Sequence, residues 1–332
     1  MKKFLLAMVS FVLAAGLLAA CGTAGQSAAS TGSGAAAQQA SSGQTEEKLL
    51  VYSSFYPMYD FTQKIGGERV EVVNMVPAGT EPHDWGPAAT DIVGLEKADV
   101  FVYNGAGLEH WVEDVLAALG NKSLVVAEAS AGISLLEGHA HEDEEEEHAE
   151  EEEHDEEESA YDPHVWLNPQ YVKVEAENIK NALIQADPAG AEYYEENYKA
   201  FAAKLDVLDT EFESTLAGLP GKTIVVAHEA FGYLCSRYGL TQMGIEGLSP
   251  DSEPDAARMA EVIDFVKQNN VKVIFFEELV SPKVAEAIAA ETGAGTEVLN
   301  PIEGLTQEQI DAGDDYFSLM RQNLKALEKA LQ

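Results

Sequence analysis

Three histidines lie in short segments whose neighbouring residues suit metal coordination. They are His83 in TEPHDWGP, His164 in YDPHVWLNP and His228 in VVAHEAFGY. Proline directly precedes the first two, and a tryptophan follows each of those two at the second position, as Trp85 and Trp166. Proline fixes the local backbone and a large aromatic ring excludes water, and both effects help to preorganise a ligand. The three imidazoles are therefore candidate metal ligands.

Glu303, in NPIEGLT, is a fourth candidate because it lies just past the predicted strand TEVLN. Three imidazoles and one carboxylate form a donor set that suits zinc better than magnesium or calcium. If all four residues bind, no coordination position is left vacant. A filled tetrahedron favours storage or carriage of the metal over catalysis.

The same residues have other interpretations, which the sequence leaves open. A single histidine after a strand is more often a hydrogen-bonded structural residue, and a glutamate in a turn is ordinarily solvated. Three histidines with a metal-bound water would also make a zinc hydrolase site, for which Glu229 or Asp84 is a candidate general base. Glu229, beside His228, is equally a candidate hydrogen-bond partner for that ring. A vacant coordination position would distinguish an enzyme from a carrier.

Residues 138–159 form a second group, with fourteen acidic residues and four histidines. The histidines are His139, His141, His148 and His154. This composition has too little apolar surface to fold, so we expect a disordered loop. Two roles stay open: the histidines and carboxylates capture zinc transiently near the main site, or the run is a solvated insertion with no part in transport.

Alternating strands and helices must position these residues. Apolar strands are predicted at KLLVYSS, RVEVVNMV, DVFVYNGA and SLVVAEA, and again at TIVVAH, QMGIEGL, VKVIFFEE and TEVLNP. Continuous apolar strands that alternate with helices predict parallel sheets covered on both faces, and four strands in each half predict two α/β lobes. Ligands bind outside the carboxyl ends of such strands, where His83 and His228 are expected.

A long amphipathic helix is predicted between the two lobes, from about residue 191 to 219. Its apolar positions recur every three or four residues, at Tyr194, Tyr198, Phe201, Leu205, Leu208, Phe212 and Leu216. We predict an N-terminal lobe at 47–190, this linking helix at 191–219 and a C-terminal lobe at 220–332. A stiff connector of this length would hold the lobes at a nearly fixed angle.

The first residues predict export and attachment to a membrane. Lys2 and Lys3 precede an apolar run, and a small-residue cleavage box ends at Cys21. The pattern resembles a bacterial lipoprotein signal over residues 1–20, with Cys21 as the lipid-modified first residue. Residues 21–46 then form a flexible tether rich in Ala, Gly, Ser, Thr and Gln. Cys235 is the other cysteine, so no internal disulfide is expected, and its apolar neighbours predict that it is buried.

The charge of the chain excludes some partners. The formal net charge is -38, and such acidity argues against nucleic acid and suits a cationic ligand. The sequence contains no G-x-x-x-x-G-K-[ST] phosphate loop, so an ATP-driven transport step would need other subunits.

The motifs together resemble the zinc-binding solute-receptor lipoproteins of bacterial zinc/manganese ABC importers. The resemblance covers residues 48–332 and rests on EPHDWGP, NGAGLEHW, DPHVWLNP, YEENYKAF, VVAHEAFGYL, GLSPDSEP, FFEELVSP and NPIEGLT. It implies two (β/α)4 lobes with parallel sheets, joined by one long rigid helix, and one metal in the interlobe cleft. His83, His164 and His228 match the family's ligand positions, and Glu303 is carried over as the fourth ligand.

The resemblance also implies the function. The protein would be a monomeric, non-enzymatic receptor, lipid-anchored through Cys21 at the outer face of a Gram-positive membrane. It would deliver Zn²⁺ to an ABC permease with a separate ATPase. The manganese-preferring relatives have glutamate at the third ligand position, where this chain has His228. This difference favours zinc and leaves a manganese receptor as the disfavoured alternative. A host-surface adhesin is a further alternative. The acidic run is typical of the zinc members and is expected at the mouth of the cleft.

Overall fold

Strands and helices alternate along the residues that the computed structural model describes, which are 48–138, 160–250 and 254–332. The strands are β1 (Leu49–Ser53), β2 (Val70–Asn74), β3 (Val100–Tyr103), β4 (Val125–Glu128), β5 (Thr223–Val226), β6 (Thr241–Gly244), β7 (Val273–Phe276) and β8 (Gly295–Val298). The helices are α1 (Tyr56–Gly66), α2 (Ala89–Leu95), α3 (Val112–Ala118), α4 (Pro169–Ala186), α5 (Ala191–Leu216), α6 (Gly232–Tyr238), α7 (Ala256–Asn269), α8 (Lys283–Thr292), α9 (Gln307–Ala312) and α10 (Tyr316–Leu331).

The strands form two parallel four-stranded sheets. Their orders are β2-β1-β3-β4 and β6-β5-β7-β8, so both sheets have the same topology. The eight strands correspond to the eight apolar runs of the sequence, and the predicted class of two α/β lobes is confirmed. The lobe boundaries at 47–190 and 220–332 remain a prediction.

Each sheet has a switch point where consecutive crossovers leave a strand in opposite directions. In the N-terminal sheet it lies between β1 and β3, and in the C-terminal sheet between β5 and β7. Ligands of parallel sheets bind outside the carboxyl ends of the strands at this point. Ser54 and Asn104 follow the strands at the first switch point, and His228 and Glu277 follow them at the second.

Helix α5 is the predicted long connector, and it ends three residues earlier than expected. It packs against α1, α4 and α10, and six of the seven predicted apolar positions are buried. The seventh, Tyr198, is half-buried beneath the Lys180 ammonium, which lies 4.6 Å from its ring centre. One continuous apolar core runs from Val51 of the first sheet through this helix to Val226 of the second. The lobes therefore share a core, which stiffens the connection between them.

The residues after His164 determine where helix α4 begins. The side chain of Asn168 accepts a hydrogen bond from the Gln170 N–H at 3.0 Å, and Pro169 occupies the first helical position of α4. Asparagine caps a helix by accepting from its unpaired N–H groups, and proline there already has the helical φ. The 3-10 turn Val165–Leu167 therefore follows His164 directly, and α4 begins beyond it.

Several predictions from the sequence fall on residues that the structure does not describe. These are the signal segment, Cys21, the tether and the histidines of the acidic run. Among the described residues, no helix combines the length and apolar character needed to cross a membrane. Cys235 is a buried free thiol, as its neighbours predicted.

Glu175, on α4, is a fully buried carboxyl group, and neither of its side-chain oxygens has a hydrogen-bond partner. Burial, with a smaller contribution from the negative charge of Glu109, raises the pKa of Glu175 to about 8. Between its ordinary pKa near 4.5 and this value, the folded chain keeps a proton that the unfolded chain has released. This group therefore makes the fold less stable as pH rises through that window.

We expect Glu175→Gln to remove this pH dependence. Between pH 5 and pH 7.5 the free energy of unfolding of the variant should gain about 3 kcal/mol relative to the parent protein. Chemical denaturation of the metal-free proteins at both pH values measures the change. Glu177→Gln, an exposed position on the same helix, is the control and should follow the parent protein. An equal pH dependence in the parent and Glu175→Gln would contradict the proposed proton uptake.

Candidate metal centre

The four predicted ligands come together at the cleft between the lobes. His83 lies in the loop between β2 and α2, and His164 lies between the acidic run and α4. His228 is the second residue after β5, and Glu303 follows β8 by five residues. One potential ligand atom from each of the four lies within 4.8 Å of those of the other three. Residues separated by up to 220 positions in the sequence thus form one cluster.

The distances within this cluster match a tetrahedral zinc site. The Oε1 atom of Glu303 is 3.3 Å from Nε2 of His83, 3.0 Å from Nε2 of His164 and 3.4 Å from Nε2 of His228. The Nε2 atoms of His164 and His228 are 3.2 Å apart. Bonds of about 2.0–2.1 Å to a tetrahedral zinc place the ligand atoms about 3.3 Å from one another. These four separations therefore match a bound zinc, and all four atoms lie within 4.8 Å of one another.

The site is nearly closed to water. His164 and His228 have no exposed surface, Glu303 is 2% exposed, and the side chain of His83 is 10% exposed. His83 is the most accessible of the four, so solvent reaches the cluster on the side of its loop. The N–H of His83 donates to both carboxylate oxygens of Glu81, at 3.1 and 3.0 Å, which fixes the backbone at this point.

A carboxylate holds the far side of the His164 ring. The Nδ1–H group of His164 donates to Oδ1 of Asp162 at 2.8 Å, and the backbone N–H of His164 donates to the same oxygen at 2.9 Å. An ionised carboxylate only accepts hydrogen bonds, so the proton of the neutral ring lies on Nδ1. In this neutral form the lone pair of Nε2 faces the other candidate ligands, as metal binding requires. In the metal-free site a proton on Nε2 is instead shared with Oε1 of Glu303 at 3.0 Å.

His228 has an equivalent partner from the neighbouring strand. Its Nδ1–H donates to Oε1 of Glu277 at 2.6 Å, and Glu277 follows β7, which pairs with β5. Glu229, a partner considered from the sequence, instead uses its backbone N–H to donate to the Gly247 oxygen at 2.7 Å. Both carboxylates stood in segments already singled out, Asp162 in YDPHVW and Glu277 in VKVIFFEE. The hydrogen bond between Glu277 and His228 depends on β7 lying next to β5, and this strand order cannot be predicted from the sequence.

An unusual backbone conformation directs Glu303 into the cluster. The preceding residue, Ile302, is fully buried and has φ of 63°, a region that β-branched residues rarely occupy. Its N–H donates to the side-chain oxygen of Asn300 at 2.6 Å, and the Trp166 Nε1–H donates to the Pro301 oxygen at 2.7 Å. These bonds from both lobes hold the strained segment.

The two predicted tryptophans have different surroundings. Trp166 is fully buried and its ring centre lies 5.2 Å from that of His164, so it excludes water from this ligand. Trp85 is half-buried and packs against Trp111 at 5.6 Å. The sequence predicted that both tryptophans would exclude water from a neighbouring histidine. Trp166 is placed to do so at His164, whereas Trp85 packs against another tryptophan.

Opposite charges balance the buried cluster. Burial alone would raise the pKa of Glu303, but the His228 charge and hydrogen bonds from the three histidines hold it well below its usual value. Burial opposes charge on His228 as well, yet Glu277 and Glu303 raise its pKa well above 6.5. Hydrogen bonds to Asp162 and Glu303 outweigh burial and raise the pKa of His164, whereas burial dominates and lowers the pKa of His83. A metal that binds here must displace protons from imidazole nitrogen.

The residues that flank the acidic run lie close to His164. The Gly138 N–H donates to the Ala160 oxygen at 3.0 Å, and Glu137 and Tyr161 form an antiparallel bridge. The chain therefore leaves and returns at one place, four residues before His164.

A protein-family model supplies the observation that decides the relationship. The model described as ZnuA, zinc-uptake complex component A periplasmic, matches residues 51–330. The chain belongs to this family. The resemblance inferred from the sequence motifs is thereby confirmed.

Two related proteins and one solved structure illustrate the similarity. The chain is 45% identical over 324 residues to the high-affinity zinc uptake system protein ZnuA of Bacillus subtilis, over 97% of this chain and 96% of that protein. It is 38% identical over 286 residues to the zinc-binding lipoprotein AdcA of Streptococcus pneumoniae, over 86% of this chain but 56% of AdcA, so it spans little more than half of that relative. The crystal structure of the Zn(II)-bound ZnuA-like domain of Streptococcus pneumoniae AdcA aligns with a TM-score of 0.72 at 37% identity, over 86% of this chain and 99% of that domain.

We expect Glu277→Gln and Asp162→Asn each to weaken zinc binding by about 10- to 100-fold, because each removes the anion that orients an imidazole and raises its basicity. Competition with a zinc indicator measures the affinity. Glu286→Gln, an exposed glutamate of the C-terminal lobe, is the matched control and should bind zinc like the parent protein. Unchanged affinity in both site variants would show that these carboxylates do not support the ligands.

Proposed function

We propose that this protein is the extracytoplasmic receptor of a zinc-uptake system, which captures one Zn²⁺ with His83, His164, His228 and Glu303 and delivers it to an ABC permease. The observation that carries the proposal is the convergence of four candidate ligand atoms in a nearly closed cleft: Oε1 of Glu303 lies 3.0–3.4 Å from each of the three Nε2 atoms, and all four atoms lie within 4.8 Å of one another. Membership of the ZnuA family supports zinc as the cargo.

A receptor fits this geometry better than an enzyme. All four tetrahedral positions are accounted for by protein atoms, so a zinc held here would have no position for an activated water. Glu277, the nearest additional carboxylate to His228, is engaged by the Nδ1–H of that ring.

The donor set also supports zinc over manganese. Manganese prefers oxygen ligands and higher coordination numbers, whereas three imidazoles suit zinc. His228, the residue that replaces an oxygen donor in the manganese-preferring relatives, is fully buried with its Nε2 in the cluster.

The location and partners complete the proposal. The lipoprotein-like pattern ending at Cys21 supports lipid attachment, with the receptor at the outer face of a Gram-positive membrane. The AdcA relative is named a lipoprotein. The receptor acts as a monomer, and the permease and its ATPase are separate subunits. Adhesion to a host surface is not needed to account for any contact in the site.

Alanine substitution of the ligands tests the receptor function. We expect His83→Ala, His164→Ala and His228→Ala each to lower zinc affinity roughly 10- to 1000-fold, about 1.4 to 4 kcal/mol, because each removes a metal bond. Calorimetric titration of the chain from residue 22 onward, with metal analysis, should give one tight zinc site and weaker manganese binding. His110→Ala, an exposed histidine outside the cluster, is the control. Tight zinc binding in all three variants would show that these histidines are not the zinc ligands.

Deletion of residues 138–159 tests the accessory role of the acidic run. If His139, His141, His148 and His154 capture zinc, we expect the deletion to remove weak sites and slow uptake at limiting zinc while the tight site remains. Zinc stoichiometry and cellular uptake measure the two effects. Unchanged stoichiometry and uptake would leave the run as a solvated insertion, and loss of the tight site would mean that the wrong histidines were assigned.

A further inference from the structure

The switch point of the N-terminal sheet holds a carboxylate instead of a metal ligand. At the equivalent place in the C-terminal lobe, β5 and β7 end in His228 and Glu277. In the N-terminal lobe, β1 and β3 end next to the side chain of Glu109, which comes from the turn before α3. This carboxylate has no part in the metal cluster, so its role requires a separate explanation.

Glu109 holds the segment that follows β3. One oxygen accepts from the Ser54 hydroxyl at 2.6 Å and from the Asn104 N–H at 2.8 Å, and the other accepts from the Gly105 N–H at 3.0 Å. Hydrogen bonds to an ionised acceptor are stronger than those between neutral groups. Three such bonds anchor the start of the turn.

The turn itself has a conformation that needs anchoring. Gly105, Ala106 and Gly107 have φ of 86°, 56° and 88°, so three consecutive residues lie in the left-handed region. Glycine tolerates this region but alanine does not favour it. The bonds to Glu109 therefore select this course of the chain, and the course fixes the side chain of Asn104.

Asn104 connects this turn to a metal ligand. The residue is fully buried, and its Nδ2 group donates to the Gly105 oxygen and to the Pro163 oxygen, each at 3.0 Å. The Pro163 oxygen belongs to the peptide group whose N–H is that of His164. The same peptide group is thus held at its oxygen by Asn104 and at its N–H by Asp162, which also holds the ring.

We propose that Asn104, fixed by Glu109, is a positioning residue for His164 in zinc binding. The inference rests on the proposed function of the cluster and adds a residue that touches no metal. Asp162 sets the rotation of the imidazole, and Asn104 sets the position of the backbone from which the imidazole extends. The Pro163 oxygen also accepts from the Val165 N–H at 2.8 Å, a bond within the same segment. Without Asn104, the His164 peptide group loses its bond to the segment after β3, so the distance from Nε2 to Glu303 is held less firmly.

Asn104→Ala tests this role against a structural one. We expect zinc affinity to fall 10- to 100-fold, as for other groups that orient ligands, and the visible spectrum of the Co²⁺-loaded protein to lose the intensity of a tetrahedral site. Asn178→Ala is the matched control, because Nδ2 of Asn178 also bonds two backbone oxygens, those of Ala129 and Ala131, at 2.8 and 3.0 Å. That loop carries no ligand. Asn178→Ala should lower the stability of the metal-free protein yet keep the affinity and the cobalt spectrum.

Further variants keep the outcomes distinct. Glu109→Gln retains the side-chain shape but loses one acceptor, and it should weaken zinc binding and change the cobalt spectrum in the same direction as Asn104→Ala. This variant decides the question if Asn104→Ala does not fold. Parent-like affinity and spectrum in Glu109→Gln and in any folded Asn104→Ala would overturn the proposal, as would equal changes in Asn178→Ala. If His164→Ala also leaves zinc binding unchanged, the proposed function itself fails; if only His164→Ala weakens binding, the positioning role alone fails.

Discussion

The burial of one carboxylate among three imidazoles is the constraint on which the arrangement of the lobes depends. Taking an ionised carboxylate out of water costs several kcal/mol unless donors and opposite charge surround it. The groups that satisfy Glu303 come from both lobes, His83 and His164 from the first and His228 from the second. The lobes must therefore meet at this point for the carboxylate to be buried at all. A Zn²⁺ ion held by the four residues, as proposed, would replace the protons that now link the carboxylate to the imidazoles.

The contact between the lobes at the cluster differs on its two sides. The side of His164 is held by hydrogen bonds, and the side of His83 is more exposed to solvent. The segment around His164 is bonded to the C-terminal lobe by three aromatic residues: the Tyr233 hydroxyl donates to the Asp162 oxygen, the Tyr316 hydroxyl to the Trp166 oxygen, and the Trp166 indole to the Pro301 oxygen. His83 stands in a loop between elements and keeps some exposed surface. A continuous apolar core beneath the site limits relative motion of the lobes.

Local patterns in the sequence predicted the fold and the four clustered residues, but they could not predict the partners of those residues. The eight strands were recoverable because each is a short apolar run, and the candidate ligands because three of them follow strands. Helices α2 and α9 were not predicted, because with seven and six residues they are too short to show a helical period. Glu277 and Asn104 were missed as partners for another reason: each acts on a residue 49 or 60 positions away, through strand order or loop packing that no short window contains. Local patterns therefore identify the ligands of such a centre more readily than the network that orients them.

Gly138 and Ala160, at the two ends of the acidic run, are joined in a closed neck. Because the two ends are joined by a backbone hydrogen bond and an adjacent bridge, the rest of the lobe experiences the same boundary whatever the number of residues between them. The free-energy cost of bringing the ends of a connecting segment together grows slowly, by about 0.6 kcal/mol for each doubling of its length. Length and composition can thus drift, or be exchanged by engineering, with little effect on the stability of the scaffold. The neck is therefore a suitable insertion site for a foreign segment, such as a reporter domain, which would lie within a few residues of the candidate ligand His164.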